Sequence, residues 1–203
     1  RSGHLNDLII ERKKSRQLAG NIYRGRVTNI LHNIQSAFID INEGESGFIH
    51  ISDILENTQK FQEIFDMDFD IDFAPSIEKK SRQEASDIAQ LLKVDQPVLV
   101  PVVKEPIGSK GARLTSNISI AGRYLVLLPN TSHRGVSKKI ENPQSRERLK
   151  KLIRAFDMPN DMGLICRTAS AETTPELLIE EANDLLKSWQ SIVGGFHKSA
   201  RPT

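Results

Sequence analysis

Residues 20–54 read GNIYRGRVTNILHNIQSAFIDINEGESGFIHISDI, and the reading of this stretch decides the fold. Residues 21–31 and 35–41 alternate and are rich in β-branched side chains, the period-two pattern of half-buried strands. NEGESG at 42–47 is a turn signal, and GFIHI at 47–51 resumes the strand pattern. A fourth strand, PVLVPVVK at 97–104, follows only after a long insertion. Four short strands joined by tight turns, with one long insertion before the last, predict a small barrel.

Upstream, LNDLIIE at 5–11 fits a short strand, and the basic residues 12–19 fit a connection. The insertion, about 52–93, is harder to read. Residues 65–73, FDMDFDIDF, alternate apolar side chains with aspartate. They fit either an amphipathic strand or an acidic-hydrophobic segment without fixed structure. A strand of this kind needs a partner edge, so a mobile loop is expected. SDIAQLLK at 86–93 fits a short helix with Ser86 or Asp87 as N-cap.

A second organised region follows Gly108. Residues 112–120 and 122–128 read as strands. Ser145 can cap a helix at 146–156, whose Leu149, Leu152, Ile153 and Phe156 share one face. MGLICR at 162–167 reads as a buried strand, and Thr174-Pro175 starts a helix marked by Leu178, Ala182, Leu185, Trp189 and Ile192. Gly194 and Gly195 are expected to stop it, leaving a loose polar tail from His197 to Thr203.

At 203 residues the chain can bury the core of one large domain or two small ones. No apolar run reaches the roughly 18 residues of a membrane span. The single cysteine, Cys166, excludes an internal disulfide and a cysteine-based zinc cage, and reads as a small buried residue. The chain begins at Arg1 with no apolar signal-peptide core, so a cytoplasmic piece of a longer protein is expected. The net charge of +2 hides an uneven distribution. Residues 56–87 hold nine acidic and four basic residues, a local charge of −5 that leaves +7 elsewhere. Basic clusters stand at Arg12, Lys13, Lys14 and Arg16, at Lys104, Lys110 and Arg113, and at Arg134, Lys138 and Lys139. This is an electropositive surface with one acidic insert, or a solvated surface with chance clustering.

Phe38 and Phe48 lie on adjacent predicted strands, and Tyr23 lies on the preceding one beside Arg24 and Arg26. Rings flanked by cations can stack single-stranded bases; the plainer alternative buries the rings in the barrel. GSKGAR at 108–113 places Lys110 and Arg113 on a glycine-rich loop that could approach phosphate, or it is an ordinary turn. Arg167-Thr168 could grip a phosphate through a guanidinium fork and a hydroxyl, or be structural. The five histidines show no metal-ligand spacing, and no carboxylate pair suggests acid–base catalysis.

Taken together, residues 20–54 resemble the S1-type OB-fold RNA-binding domain of the bacterial ribonuclease E/G family. VKEPIGSKGARLTSNISIAGRYLVLLPN at 103–130, RGVSKKIEN at 134–142 and MGLICRTAS at 162–170 resemble its 5′-sensor region. The resemblance implies an α+β fold. Residues 1–19 would be a remnant of an RNase H-like hairpin. Residues 20–108 would form the S1-type barrel, with the acidic insertion at about 53–87. Residues 109–197 would form the 5′-sensor subdomain, and 198–203 a loose tail. It implies RNA contacts at Phe38, Phe48 and Lys110, with Tyr23 and Arg113 added from the residue reading. It implies 5′-monophosphate binding at Arg167 and Thr168, in a pocket shaped by Gly122 and Val126. Lys138 and Lys139 stand where the family often has arginine, and the acidic Phe-Asp insert is a departure.

The resemblance further implies single-stranded RNA as partner, RNA and rRNA processing as the process, and a homo-oligomeric parent endoribonuclease. In that parent, Mg²⁺ serves a DNase I-like catalytic domain and zinc a cysteine-rich link. Neither is expected in this chain, which should grip RNA without cutting it. The wording of residues 102–115 leans to the G-like branch. Two other classes compete, a non-catalytic OB-fold RNA-binding adaptor and a protein-binding OB module. The sensor-like half argues against the adaptor.

Overall fold

The computed structural model describes residues 17–54, 69–73, 87–129, 131–199 and 202. The strand expected at 5–11 lies outside them. In chain order the strands are β1 (Ile22–Leu31), β2 (Ser36–Asp40), β3 (Gly47–His50), β4 (Phe69–Phe73), β5 (Pro97–Lys104), β6 (Arg113–Leu114), β7 (Ile120–Ala121), β8 (Leu125–Pro129), β9 (Arg134–Ser137) and β10 (Met162–Cys166). The helices are the single turn α1 (Ile51–Ile54), then α2 (Pro143–Ala155) and α3 (Pro175–Lys198). The described residues form a mixed α+β fold with two sheets.

β1, β2, β3, β6 and β5 close in that order into a barrel. Every pair is antiparallel except β3–β6, which run parallel where Phe48 meets Arg113. The strand alternation sorts the side chains. Val27, Ala37, Ile39, Ile49, Val100, Val102 and Leu114 point inward and form the core, while Phe38, Phe48 and His50 lie half-buried outside it. The 42–47 turn depends on left-handed backbone at Asn42 (φ 61°) and Gly44 (φ 88°), with Asp40 accepting from the Asn42 amide at 2.9 Å.

The second sheet has the order β4-β9-β10-β8-β7, with β9 and β10 parallel. Leu125 and Leu127 of β8 and Leu164 and Cys166 of β10 meet Leu149 and Ile153 of α2 and Leu178, Ala182, Leu185 and Trp189 of α3 in one core. Ile22 and Leu99 of the barrel pack against that core. Arg24 fastens the far end of α3, donating from Nε to the Phe196 carbonyl (3.1 Å) and covering the Phe196 ring at 5.3 Å.

Several local expectations are corrected. Residues 69–73 are a strand rather than a loop: the partner edge exists, and it is β9, paired from Phe69 opposite Ser137 to Phe73 opposite Arg134. The helix expected at 86–93 is a 3₁₀ turn, Ile88–Gln90, capped by Asp87, whose carboxylate accepts from the Ala89 amide. The strand expected at 112–120 breaks into β6 and β7. Between them the Asp53 carbonyl captures the Ser116 amide (2.9 Å) and the Thr115 hydroxyl (2.9 Å). The cap of α2 is Asn142, which accepts from the Gln144 and Ser145 amides and leaves Pro143 at the first helical position. α3 runs through Gly194 and Gly195 and takes in His197. Two glycines cost only about 2 kcal/mol of helix propensity, and the Arg24 contacts hold the helix beyond them. No helix among the described residues is long and apolar enough to cross a membrane.

Candidate nucleic-acid interface

Phe38 and Phe48 are cross-strand partners on the outside of the barrel. Their rings meet edge to face, with centroids 6.0 Å apart and planes at 64°. Neither ring joins the barrel core. Arg113 lies beside Phe48 on β6. Its guanidinium donates to the Asp53 carboxylate at 3.2 Å, and while the Asp53 side chain is 1% exposed that of Arg113 is 41% exposed. The carboxylate therefore anchors a cation that still faces solvent. His50 continues the same side of β3, with Nδ1 2.6 Å from the Ser52 hydroxyl.

Lys110 is exposed on the β5–β6 hairpin, which the Ile107–Lys110 bridge closes. Gly111 seats this hairpin against the β2–β3 turn. A Cβ there would lie 1.8 Å from the Ser46 carbonyl oxygen, and the Phe48 amide donates to the next carbonyl, Ala112, at 2.8 Å. Lys110 is thus held near the end of β3 that carries Phe48. Tyr23 does not join this face. It occupies an inward position of β1 with Val27, is 9% exposed, and donates its hydroxyl to Glu43 at 3.2 Å. Strand alternation explains the correction: a ring placed inward by period two cannot stack with rings placed outward.

The second cluster lies where β10 ends. The Arg167 amide donates to the Tyr124 carbonyl at 2.7 Å, and its exposed guanidinium donates to the Gly122 carbonyl at 2.5 Å. Thr168, also exposed, starts the 3₁₀ turn Thr168–Glu172, with its hydroxyl 3.5 Å from that of Ser137 at the end of β9. Exposed Lys138 and Lys139 follow Ser137, and Arg146 of α2 donates to the Ser137 carbonyl at 2.7 Å. Val126 is buried in β8 opposite Ile165. The structure thus brings Arg167, Thr168 and Gly122 together, and separately Phe38, Phe48, Arg113 and Lys110.

Arg134 was read from the sequence only as a surface cation, and Arg148 and Glu181 were not singled out at all. Arg134, grouped there with Lys138 and Lys139, is 8% exposed and donates to the Ile153, Arg154 and Phe156 carbonyls that end α2. Arg148 donates to the carbonyls of Ser170, Ala171 and Thr173, holding the turn that begins at Thr168. Glu181 of α3 accepts from the Arg123, Tyr124 and Leu125 amides. Each acts on distant backbone, so no spacing in the sequence signals it. Among the described residues no cluster of three His, Cys, Asp or Glu could hold a metal, and Cys166 is buried.

The Ribonuclease E/G family profile matches residues 119–203. Among curated proteins, the chain is 38% identical over 202 residues to Ribonuclease G of Haemophilus influenzae, covering 100% of this chain and 38% of the relative. It is 37% identical over 191 residues to Ribonuclease G of Escherichia coli, covering 94% of this chain and 36% of the relative. It is also 38% identical over 177 residues to Ribonuclease E of Synechocystis, covering 87% and 23%. The chain therefore spans little more than a third of the length of the Ribonuclease G proteins it matches. The barrel, the second sheet and these matches run along one continuous sequence, and the chain belongs to the ribonuclease E/G family.

Proposed function

We propose that this chain is the RNA-gripping part of a ribonuclease E/G-type enzyme working in RNA and rRNA processing, and that it combines two contacts. The barrel is an S1-type OB fold that holds single-stranded RNA by stacking on Phe38 and Phe48, with Lys110 and Arg113 at the phosphates. The Arg167–Thr168 cluster is a 5′-sensor that takes a terminal monophosphate, with Gly122 shaping the pocket. The observation that carries the reading is the pair of touching phenylalanine rings kept outside the barrel core, beside a cation anchored by a buried carboxylate. The strand order with its parallel β3–β6 pair supports the OB assignment. On the same reading, strand scission with its Mg²⁺, the zinc link and homo-oligomer formation belong to other parts of a cytoplasmic parent enzyme.

The test is fluorescence anisotropy with short 3′-labelled single-stranded RNAs carrying a 5′-monophosphate or a 5′-hydroxyl, at two salt concentrations. Affinity should fall steeply with salt, and the monophosphate should bind tighter by a margin that Arg167→Ala removes. Absence of RNA binding at either salt would overturn the whole reading. Binding without preference between the two ends would overturn the sensor and favour a plain RNA-binding adaptor.

A further inference from the structure

We infer that Glu181 is a positioning residue for the 5′-phosphate site: an internal anion that sets the loop gripping Arg167. This inference rests on the reading of Arg167 and Thr168 as a phosphate pocket. Glu181 accepts from three successive backbone amides, Arg123 (2.7 Å), Tyr124 (2.8 Å) and Leu125 (2.7 Å). Successive amides converging on one point form a concavity for an anion, and here the chain fills it with its own carboxylate. Bonds to an ionised acceptor are roughly twice as strong as neutral ones.

The same short loop holds Arg167 at two places. The Gly122 carbonyl takes the guanidinium and the Tyr124 carbonyl takes the amide. A further bond from the Gly122 amide to the Leu125 carbonyl (2.8 Å) closes the loop. The line of support runs from Glu181 through the loop amides to the loop carbonyls and so to Arg167. Glu181 is itself fixed, because its helix buries Leu178, Ala182 and Leu185 in the second core. Gly122 also gains a physical reason. A Cβ at that position would stand 2.6 Å from the Glu181 carboxyl carbon, so the glycine admits the carboxylate.

One consequence follows for the ligand. Since the amides at 123–125 already bind the Glu181 carboxylate, they do not hold an incoming phosphate, which falls to Arg167 and Thr168. A neutral side chain at 181 would release the loop, loosen Arg167 and leave the amides open to another anion.

The experiment measures the ratio of affinities for 5′-monophosphate and 5′-hydroxyl RNA in the full chain carrying Glu181→Gln, Glu181→Asp or Arg167→Ala. Glu181→Gln should lower the ratio about tenfold with 5′-hydroxyl binding unchanged, and Glu181→Asp should recover most of it. A ratio that stays the same or rises in Glu181→Gln overturns the inference. Trp189 fluorescence reports folding of the second core in every variant. If Glu181→Gln does not fold, Gly122→Ala crowds the carboxylate without removing its charge and should lower the ratio, and the shorter carboxylate of Glu181→Asp in the same chain should restore part of it; no restoration overturns the inference. If wild type shows no preference for the monophosphate, the sensor reading itself fails. If wild type discriminates, Arg167→Ala abolishes the preference and Glu181→Gln keeps it, only the inference fails.

Discussion

The barrel and the second region make their exposed clusters in opposite ways. On the barrel, strand pairing itself does the placing: Phe38 faces Phe48, Phe48 meets Arg113, and the pleat turns all three outward. In the second region the exposed Arg167 and Thr168 stand at the end of a strand and the start of a turn. They are held by side chains reaching from helices to backbone, Arg148 from α2 and Glu181 from α3. A face placed by pairing rests on strand register, whereas the second cluster rests on single side chains that can be removed one at a time.

The largest expected effect is at Arg134. Arg134→Ala strips three carbonyls at the end of α2 of a buried donor and should cost about 3 kcal/mol of stability. Amide hydrogen exchange should show the loss in β8–β10 and α2, with the barrel strands nearly unchanged. Equal loss of protection in both regions would break the comparison. Gly111→Ala is the mirror case. Its Cβ would collide with backbone at Ser46, so it should cost about 2–3 kcal/mol, concentrated in β3, β5 and β6, and weaken RNA binding by moving Lys110. Lost protection in β8–β10 instead would contradict it.

Phe48→Ala should leave the melting temperature almost unaltered, because the ring lies outside the core, yet cost about 1–3 kcal/mol of single-stranded RNA affinity. Phe38→Ala should do the same, and the double variant should lose less than the sum because the rings touch. Additive losses in titrations would mean the two rings serve separate bases.

The smallest effect concerns acid. The Ala89 amide, and after it the His32 ring, hold the Asp87 carboxyl below the ordinary aspartate value of 3.8. A depressed folded value means the unfolded chain binds the proton first. The contribution is thus present above the unfolded value and disappears as pH falls through the folded one. Asp87→Ala should melt slightly below wild type near neutral pH and converge with it in strong acid, once the folded carboxyl is protonated. A gap that persists in acid would show that the carboxylate charge is not responsible.

The contrast also explains what could be read from the sequence. β1, β2, β3 and β5 announced themselves because alternation is local, but spacing alone left Phe38 and Phe48 open between core and surface, and only the family resemblance put them outside. Tyr23 was misplaced only because its parity on β1 went unread. In the second region the helices and β10 were legible from apolar spacing. β9 was not, since Arg-Gly-Val-Ser is short and opens with a cation that turns out to be buried. Missing β9 in turn hid the partner of β4. Nothing in the spacing marks Arg148 or Glu181, since only the folded chain brings the backbone they hold within reach.

The placement of β4 carries a consequence for how the protein can be made or divided. The chain leaves the barrel after α1, lends β4 to the other sheet, and returns to finish the barrel with β5 and β6 before any other strand of that sheet is synthesised. On the ribosome, β4 emerges ahead of β9, the strand it must pair with. A gene cut between β6 and β7 would send the edge strand away with the barrel and leave β9 with an open edge that invites pairing with another chain. The two units are therefore interleaved along the polypeptide, and no single cut in the chain separates them with both sheets whole.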